Sequence, residues 1–255
     1  MPSATHKRRK GASIEVVDAK VAVDLATAQT YSENVFLFVP NIIGYTRVIL
    51  AGLSLHYMSY HPKYCTILYS VSCLLDAVDG QAARALNQTS KFGAVLDMVT
   101  DRCTTSCLLC YLASAYPPYA ILFQFLIALD FSSHYMHMYS SLATGSRSHK
   151  LVTSDVSRIL WLYYNDSRTL FLICAGNELF FVSLYLMKWI STPLHLPDPF
   201  GSLTLEQVLA LICAPIFVLK NLINLVQLWK ASKILVGIDL AERANAREAK
   251  DRASS

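Results

Sequence analysis

The chain has 255 residues, of which 54% are hydrophobic and 16% charged, with a mean hydropathy of +0.37. Soluble domains carry about a quarter charged residues, so this composition excludes a disordered chain and argues against a soluble enzyme. The net charge of +4 is small, and the basic residues sit in polar ends and short loops rather than in aromatic-interleaved patches, so no nucleic-acid partner is expected.

Charge gathers at the two ends: residues 1–35 and 230–255 hold 19 charged residues, and the 194 between them hold 21. The middle, 36–230, therefore reads as a membrane domain, preceded by a polar extension, 1–35, and followed by a charged tail, 231–255. The extension carries the basic run Lys7-Arg8-Arg9-Lys10, suited to anionic lipid. Ile14, Val17, Val21, Leu25 and Ala28 then recur at helical spacing, predicting an amphipathic helix in the membrane interface. The first apolar stretch begins near Phe36, after a polar segment too long for a signal-peptide n-region, so no cleavage is expected.

A span needs about 20 mostly apolar residues. Six are expected, near Phe36–Met58, Tyr64–Leu86, Phe92–Tyr116, Ala120–Leu142, Arg168–Ile190 and Leu205–Trp229, with Pro117-Pro118 turning the chain between the third and fourth. Both termini then share a side that holds 18 of the basic residues, against Lys63 and Lys188 opposite and Arg47 and Lys220 within spans. The positive-inside rule makes that side cytosolic. The sequons at Asn87 and Asn165 face the same side and should stay unmodified. The seven cysteines are odd in number and lie almost all within spans, unlike a disulfide framework. Cys103, Cys107 and Cys110 share a helical stripe that could hold a soft metal, but no histidine joins them, and small-residue packing is the simpler reading. The tail, alternating in charge after Asp239, reads as a solvated helix.

Four carboxylates carry most of the information, because an ionised side chain in a span is costly and marks a site. Asp76 and Asp79 are three apart near the end of span two; Asp97 and Asp101 are four apart near the start of span three. Each pair lies on one helix face, and the short loop between predicts that the two helices are antiparallel neighbours. Counted from that loop, Asp79 and Asp97 lie at a depth of roughly 8 Å and Asp76 and Asp101 at roughly 14 Å. Such a cluster repels itself unless one or two hard divalent ions, Mg²⁺ or Mn²⁺, neutralise it. An interhelical ion-pair cluster would need nearly as many cations at that depth, and Arg84 and Arg102 are too few. Gly80 opens the backbone beside Asp79, Arg84 offers a fork to phosphate oxygens and Gly93 lets helices approach. These are the parts of metal-assisted phosphoryl transfer. A divalent-cation transporter would also bury carboxylates, but it would not need Gly80, Ala83, Arg84 and Gly93 at these spacings, and no internal repeat of the kind common in transporters is visible.

Residues 76–101, D-A-V-D-G-Q-A-A-R-A-L-N-Q-T-S-K-F-G-A-V-L-D-M-V-T-D, match every fixed position of the signature D-x2-D-G-x2-A-R-x8-G-x3-D-x3-D. In this the chain resembles the CDP-alcohol phosphotransferase family, and P-N-I-I-G-Y-T-R at 40–47 resembles that family's first-helix motif. Runs outside the signature, among them L-D-M-V-T-D-R-C at 96–103, S-S-H-Y-M-H-M at 132–138 and C-A-G-N-E-L-F at 174–180, resemble the eukaryotic members whose acceptor is myo-inositol.

The resemblance implies an all-α membrane fold of six transmembrane helices and transfer of a phosphatidyl group from CDP-diacylglycerol to an alcohol, releasing CMP. It implies that Asp76 and Asp97 bridge two metals, that Asp79 completes one and Asp101 the other, and that Asp101 is also the general base. Asn41, Gly80, Arg84 and Ser90 match positions that hold the CDP-diacylglycerol head group. It also implies a homodimer in the endoplasmic reticulum. The signature by itself leaves glycerol phosphate, serine or choline open as acceptors. For inositol, the polar patch of Ser132, Ser133, His134 and His137 beside Asp130 is one candidate pocket, Asn177 and Glu178 offer a second, and interhelical hydrogen bonding explains the first patch equally well. Arg147, His149 and Lys150 could instead grip a phosphorylated polyol.

Overall fold

The computed structural model describes residues 19–28, 33–144, 166–190, 193 and 203–254. Among these the chain is helical, with one isolated bridge between Pro193 and Thr204. A short helix α1 (Ala19–Ala28) precedes α2 (Val39–Tyr57), α3 (Pro62–Ala85), α4 (Lys91–Ala115), α5 (Ala120–Ala143), α6 (Ser167–Met187) and α7 (Leu205–Ser254). The helices α2 to α6 follow the expected spans to within a few residues. The last, α7, runs without a break through Trp229 into the charged tail, expected as a solvated helix, and ends at Ser254. Ile14, Val17, Arg147, His149, Lys150 and Arg158 lie outside the described residues.

Local chemistry sets the helix ends. Pro40 and Pro62 occupy the first turns of α2 and α3, where a missing amide hydrogen costs nothing. The Ser90 hydroxyl accepts from the Gly93 amide and caps α4, and the Asp166 carboxylate accepts from the Arg168 and Thr169 amides and caps α6. Beyond α3, Asn87 adopts φ 54°, the left-handed conformation that asparagine tolerates when it ends a helix.

α2 packs along α3, while α4 lies against α5 and α2, and α7 lies against both α5 and α6. The short connection predicts direct packing of α3 on α4, yet these two helices hardly approach each other. The glycines explain the difference. A side chain on Gly93 of α4 would meet Asn41 of α2, and one on Gly44 of α2 would meet Leu96 of α4. The close crossing is therefore α2 on α4, and the space between α3 and α4 is left to be spanned by side chains.

Away from the aspartates, Met58, Cys65, Tyr69, Leu108, Leu109, Leu112, Phe123, Leu126, Phe181 and Tyr185 form a continuous core. Its phenols are satisfied: Tyr185 donates to the Met58 carbonyl at 2.8 Å and the neighbouring Tyr116 to the Leu184 carbonyl at 2.8 Å. The outer faces are apolar as well, with Ile67, Leu74, Ile121, Leu172 and Leu211 all exposed. Such a surface is unfavourable in water and suits lipid. By length and hydropathy, only α6 and α7 are apolar enough to mark themselves as membrane-crossing among the described residues. The helices α2 to α5 fall short because their inner faces carry Arg47, the four aspartates, Arg102 and Asp130.

Candidate active site

The four aspartates converge as the spacing predicts, and what draws them together is a cation from a third helix. Arg47, on α2, is 2% exposed. Its Nη1 donates to Asp79 at 2.7 Å and to Asp97 at 2.9 Å, and its Nη2 contacts Asp76 at 2.8 Å and also Asp101. One nitrogen thus serves the shallow pair and the other the deep pair, which is the two-level arrangement counted from the loop. A count of cations limited to Arg84 and Arg102 leaves out Arg47, which lies within the first span. The available signal was a lone arginine inside an apolar helix, which requires a partner.

Asp79 is buried, while the side chains of Asp76, Asp97 and Asp101 keep 41%, 31% and 31% of their surface. One oxygen from each of those three lies within 4.8 Å of the other two. Three converging carboxylates on an open face, with only oxygen donors, fit a hard divalent ion such as Mg²⁺ or Mn²⁺.

The residues matched to the head-group positions lie at the loop ends of α2, α3 and α4. Arg84 is exposed at the end of α3, and its guanidinium lies 3.5 Å from where a β-carbon on Gly80 would stand, so the glycine leaves the arginine room. Ser90 caps α4 through its oxygen lone pair and keeps its hydrogen to donate. Asn41 is buried, donates to the Val35 carbonyl at 2.6 Å and turns its Oδ1 toward Gly93. The loop is pinned to the start of α2 by the Val39 amide, which donates to Gln88 Oε1 at 2.9 Å.

The patch on α5 is organised differently from its sequence reading. Ser133 is fully buried and donates to the Asp130 carbonyl at 3.0 Å; His134 Nδ1 lies 2.8 Å from the same carbonyl; His137 is buried. The centre of the patch is the Asp130 carboxylate, which receives Arg102 Nη1 at 2.8 Å and Asn224 Nδ2 at 3.1 Å. Arg102 also reaches Asp101 at 3.4 Å, so the patch is linked to the aspartate cluster through that arginine. Asn177, Arg102, Asp130 and Asn224 line a cavity of about 10 Å³, room for one water. Glu178 accepts from Tyr69 at 2.7 Å and from Thr105 at 2.9 Å, tying α3 to α4 one level deeper than Arg47 does.

A helical bundle with this signature and carboxylate cluster defines a class, and comparison agrees. Residues 37–187 match the family model described as CDP-alcohol phosphatidyltransferase, and the chain belongs to that family. Its relatives include proteins named CDP-diacylglycerol–inositol 3-phosphatidyltransferase. The one from Schizosaccharomyces pombe is 53% identical over 226 residues, covering 84% of this chain and 95% of the relative. The Saccharomyces cerevisiae protein is 48% identical, covering 84% and 92%, and the Homo sapiens protein 45% identical, covering 83% and 97%. No solved structure matches the chain. The apolar helices and these relatives make the protein a membrane enzyme.

Proposed function

We propose that this protein transfers the phosphatidyl group of CDP-diacylglycerol to a hydroxyl of myo-inositol, forming phosphatidylinositol and releasing CMP. The observation that carries the reading is near full-length identity of 53% with a relative named for that reaction, in a chain that keeps every fixed residue of the signature.

Residues 36–230 form the catalytic membrane domain, with six spans in the endoplasmic-reticulum membrane, and the site and both termini face the cytosol. The acyl chains of the donor stay in the bilayer, while its head group and inositol, both too polar to cross, arrive from the cytosol. Arg84, with Ser90, Asn41 and the open backbone at Gly80, holds the head group by donating to phosphate oxygens. Asp76, Asp79, Asp97 and Asp101 hold two divalent ions, which when bound supply charge neutralisation at the phosphate and at the departing CMP. Asp101 takes the proton from the attacking inositol hydroxyl with a carboxylate oxygen left free of metal. The enzyme works as a homodimer. Ser133, His134 and His137, joined to the aspartate cluster through Asp130 and Arg102, are the candidate contacts for inositol.

The test is CMP release by purified protein with Mg²⁺ or Mn²⁺, with and without myo-inositol, alongside Asp101→Asn. Inositol-dependent release lost in Asp101→Asn supports the reading. Release only with serine, glycerol phosphate or choline overturns the acceptor, and metal uptake into vesicles without CMP release overturns the transferase.

A further inference from the structure

Arg47 is bonded to the four carboxylates that would hold the divalent ions. Oxygens of Asp76, Asp97 and Asp101 come within 4.8 Å of one another, and an ion such as Mg²⁺ binds carboxylate oxygens at about 2.0–2.1 Å. The two terminal nitrogens of Arg47 engage oxygens of these same carboxylates, 2.7 to 2.9 Å from Asp76, Asp79 and Asp97.

The rest of Arg47 is held so that only its side chain can yield. Its carbonyl accepts from the Ser72 hydroxyl of α3 at 3.1 Å, and Gly44, nearly one turn earlier, is closed against Leu96 of α4. The backbone of α2 is therefore fixed between the two helices that carry the aspartates. Arg47 Nε is buried with no hydrogen-bond partner among the described residues, so the fork is committed entirely through its two terminal nitrogens. One guanidinium offsets only one of four carboxylate charges, which leaves the cluster attractive to further cations.

We propose that Arg47 is a resident counter-cation. It holds the four aspartates together before the divalent ions bind and competes with those ions for the aspartate oxygens, so ion binding displaces its side chain. This rests on the metal-site part of the function above and not on the acceptor. Its test reads ion binding rather than turnover, so a wrong acceptor leaves it standing.

The experiment titrates Mn²⁺ into EDTA-stripped full-length protein in detergent, reading free Mn²⁺ by electron paramagnetic resonance, for the wild type, Arg47→Gln and Arg47→Lys. Thermal unfolding is recorded in EDTA and in saturating Mn²⁺. Arg47→Gln is expected to bind Mn²⁺ at least tenfold more tightly. It should also unfold at a lower temperature than wild type in EDTA, with the gap closing in Mn²⁺. Arg47→Lys, which keeps the charge and loses the fork, should fall between. If Arg47→Gln binds Mn²⁺ no more tightly than wild type, the competition is refuted. If that variant cannot be obtained folded, Arg47→Lys decides: tighter binding supports the proposal, and equal or weaker binding overturns it.

Discussion

Replacing Glu178 with alanine removes the tie between α3 and α4 without touching any aspartate. The Tyr69 and Thr105 hydroxyls, both buried, would lose their acceptor. Each orphaned hydroxyl costs about 1–3 kcal/mol, and with Glu178 only partly buried the lower part of that range applies, about 2–4 kcal/mol in total. For a protein of this size that corresponds to roughly 4–16 °C in melting temperature. Tyr69 lies seven residues before Asp76 on α3 and Thr105 four residues after Asp101 on α4, so both bonds sit on the helix faces that present the metal-site carboxylates. Loss of the tie should therefore also weaken Mn²⁺ binding. Glu178→Gln keeps an acceptor and gains a donor that can bond the second hydroxyl, and it should recover most of both losses. The assay is thermal unfolding in detergent together with Mn²⁺ titration of the same preparations. An alanine variant that melts within about 1 °C of wild type and binds Mn²⁺ normally would show that these bonds do not set the spacing of α3 and α4.

Gly93→Ala places a β-carbon 2.6 Å from Asn41 Oδ1 and 3.0 Å from Ser90 Oγ. Overpacking of about 1–3 kcal/mol should outweigh the gain of about 1 kcal/mol in helix propensity. CDP-diacylglycerol KM should rise as Asn41 and Ser90 shift, whereas Gly52→Ala, with nothing within 4 Å, should leave KM unchanged. Equal KM values for the two variants would refute the α2–α4 crossing as the reason for Gly93. Asp166→Ala should lower the melting temperature by uncapping α6. The Thr169 hydroxyl, and then the Arg168 amide, hold the Asp166 carboxyl below its usual range. Its stabilisation is therefore complete above that range and lost as pH falls through the lowered value. The melting gap between the two proteins should close in acid, and a gap independent of pH would rule out the charged cap.

Much of the site was readable in one dimension because a helix has a fixed period. Spacings of three and four place Asp76 with Asp79 and Asp97 with Asp101 on single faces, and a short loop between equal counts puts the pairs at matching depths. Helix ends were readable for the same local reason: Pro40, Pro62, Ser90 and Asp166 act within one turn of their own positions. The tail was readable as a solvated helix too; what local rules left open is that it joins the sixth span without a break, because charge marks where lipid contact should stop but does not stop a helix. Residues 241–252, A-E-R-A-N-A-R-E-A-K-D-R, are largely strong helix formers.

What the tertiary structure decided is which distant groups share a charge. Arg47 lies 32 residues from Asp79 and 54 from Asp101, and Tyr69 lies 109 from Glu178. No local rule pairs residues so far apart. The sequence by itself determined the chemistry of the cluster, since residue type and helical period set which carboxylates can converge. Only packing determined their cation and their spacing, because the glycines at 44 and 93 bring α2, not α3, against α4. That crossing carries Arg47 to the centre of the aspartates and leaves Glu178 to bridge the gap beneath them.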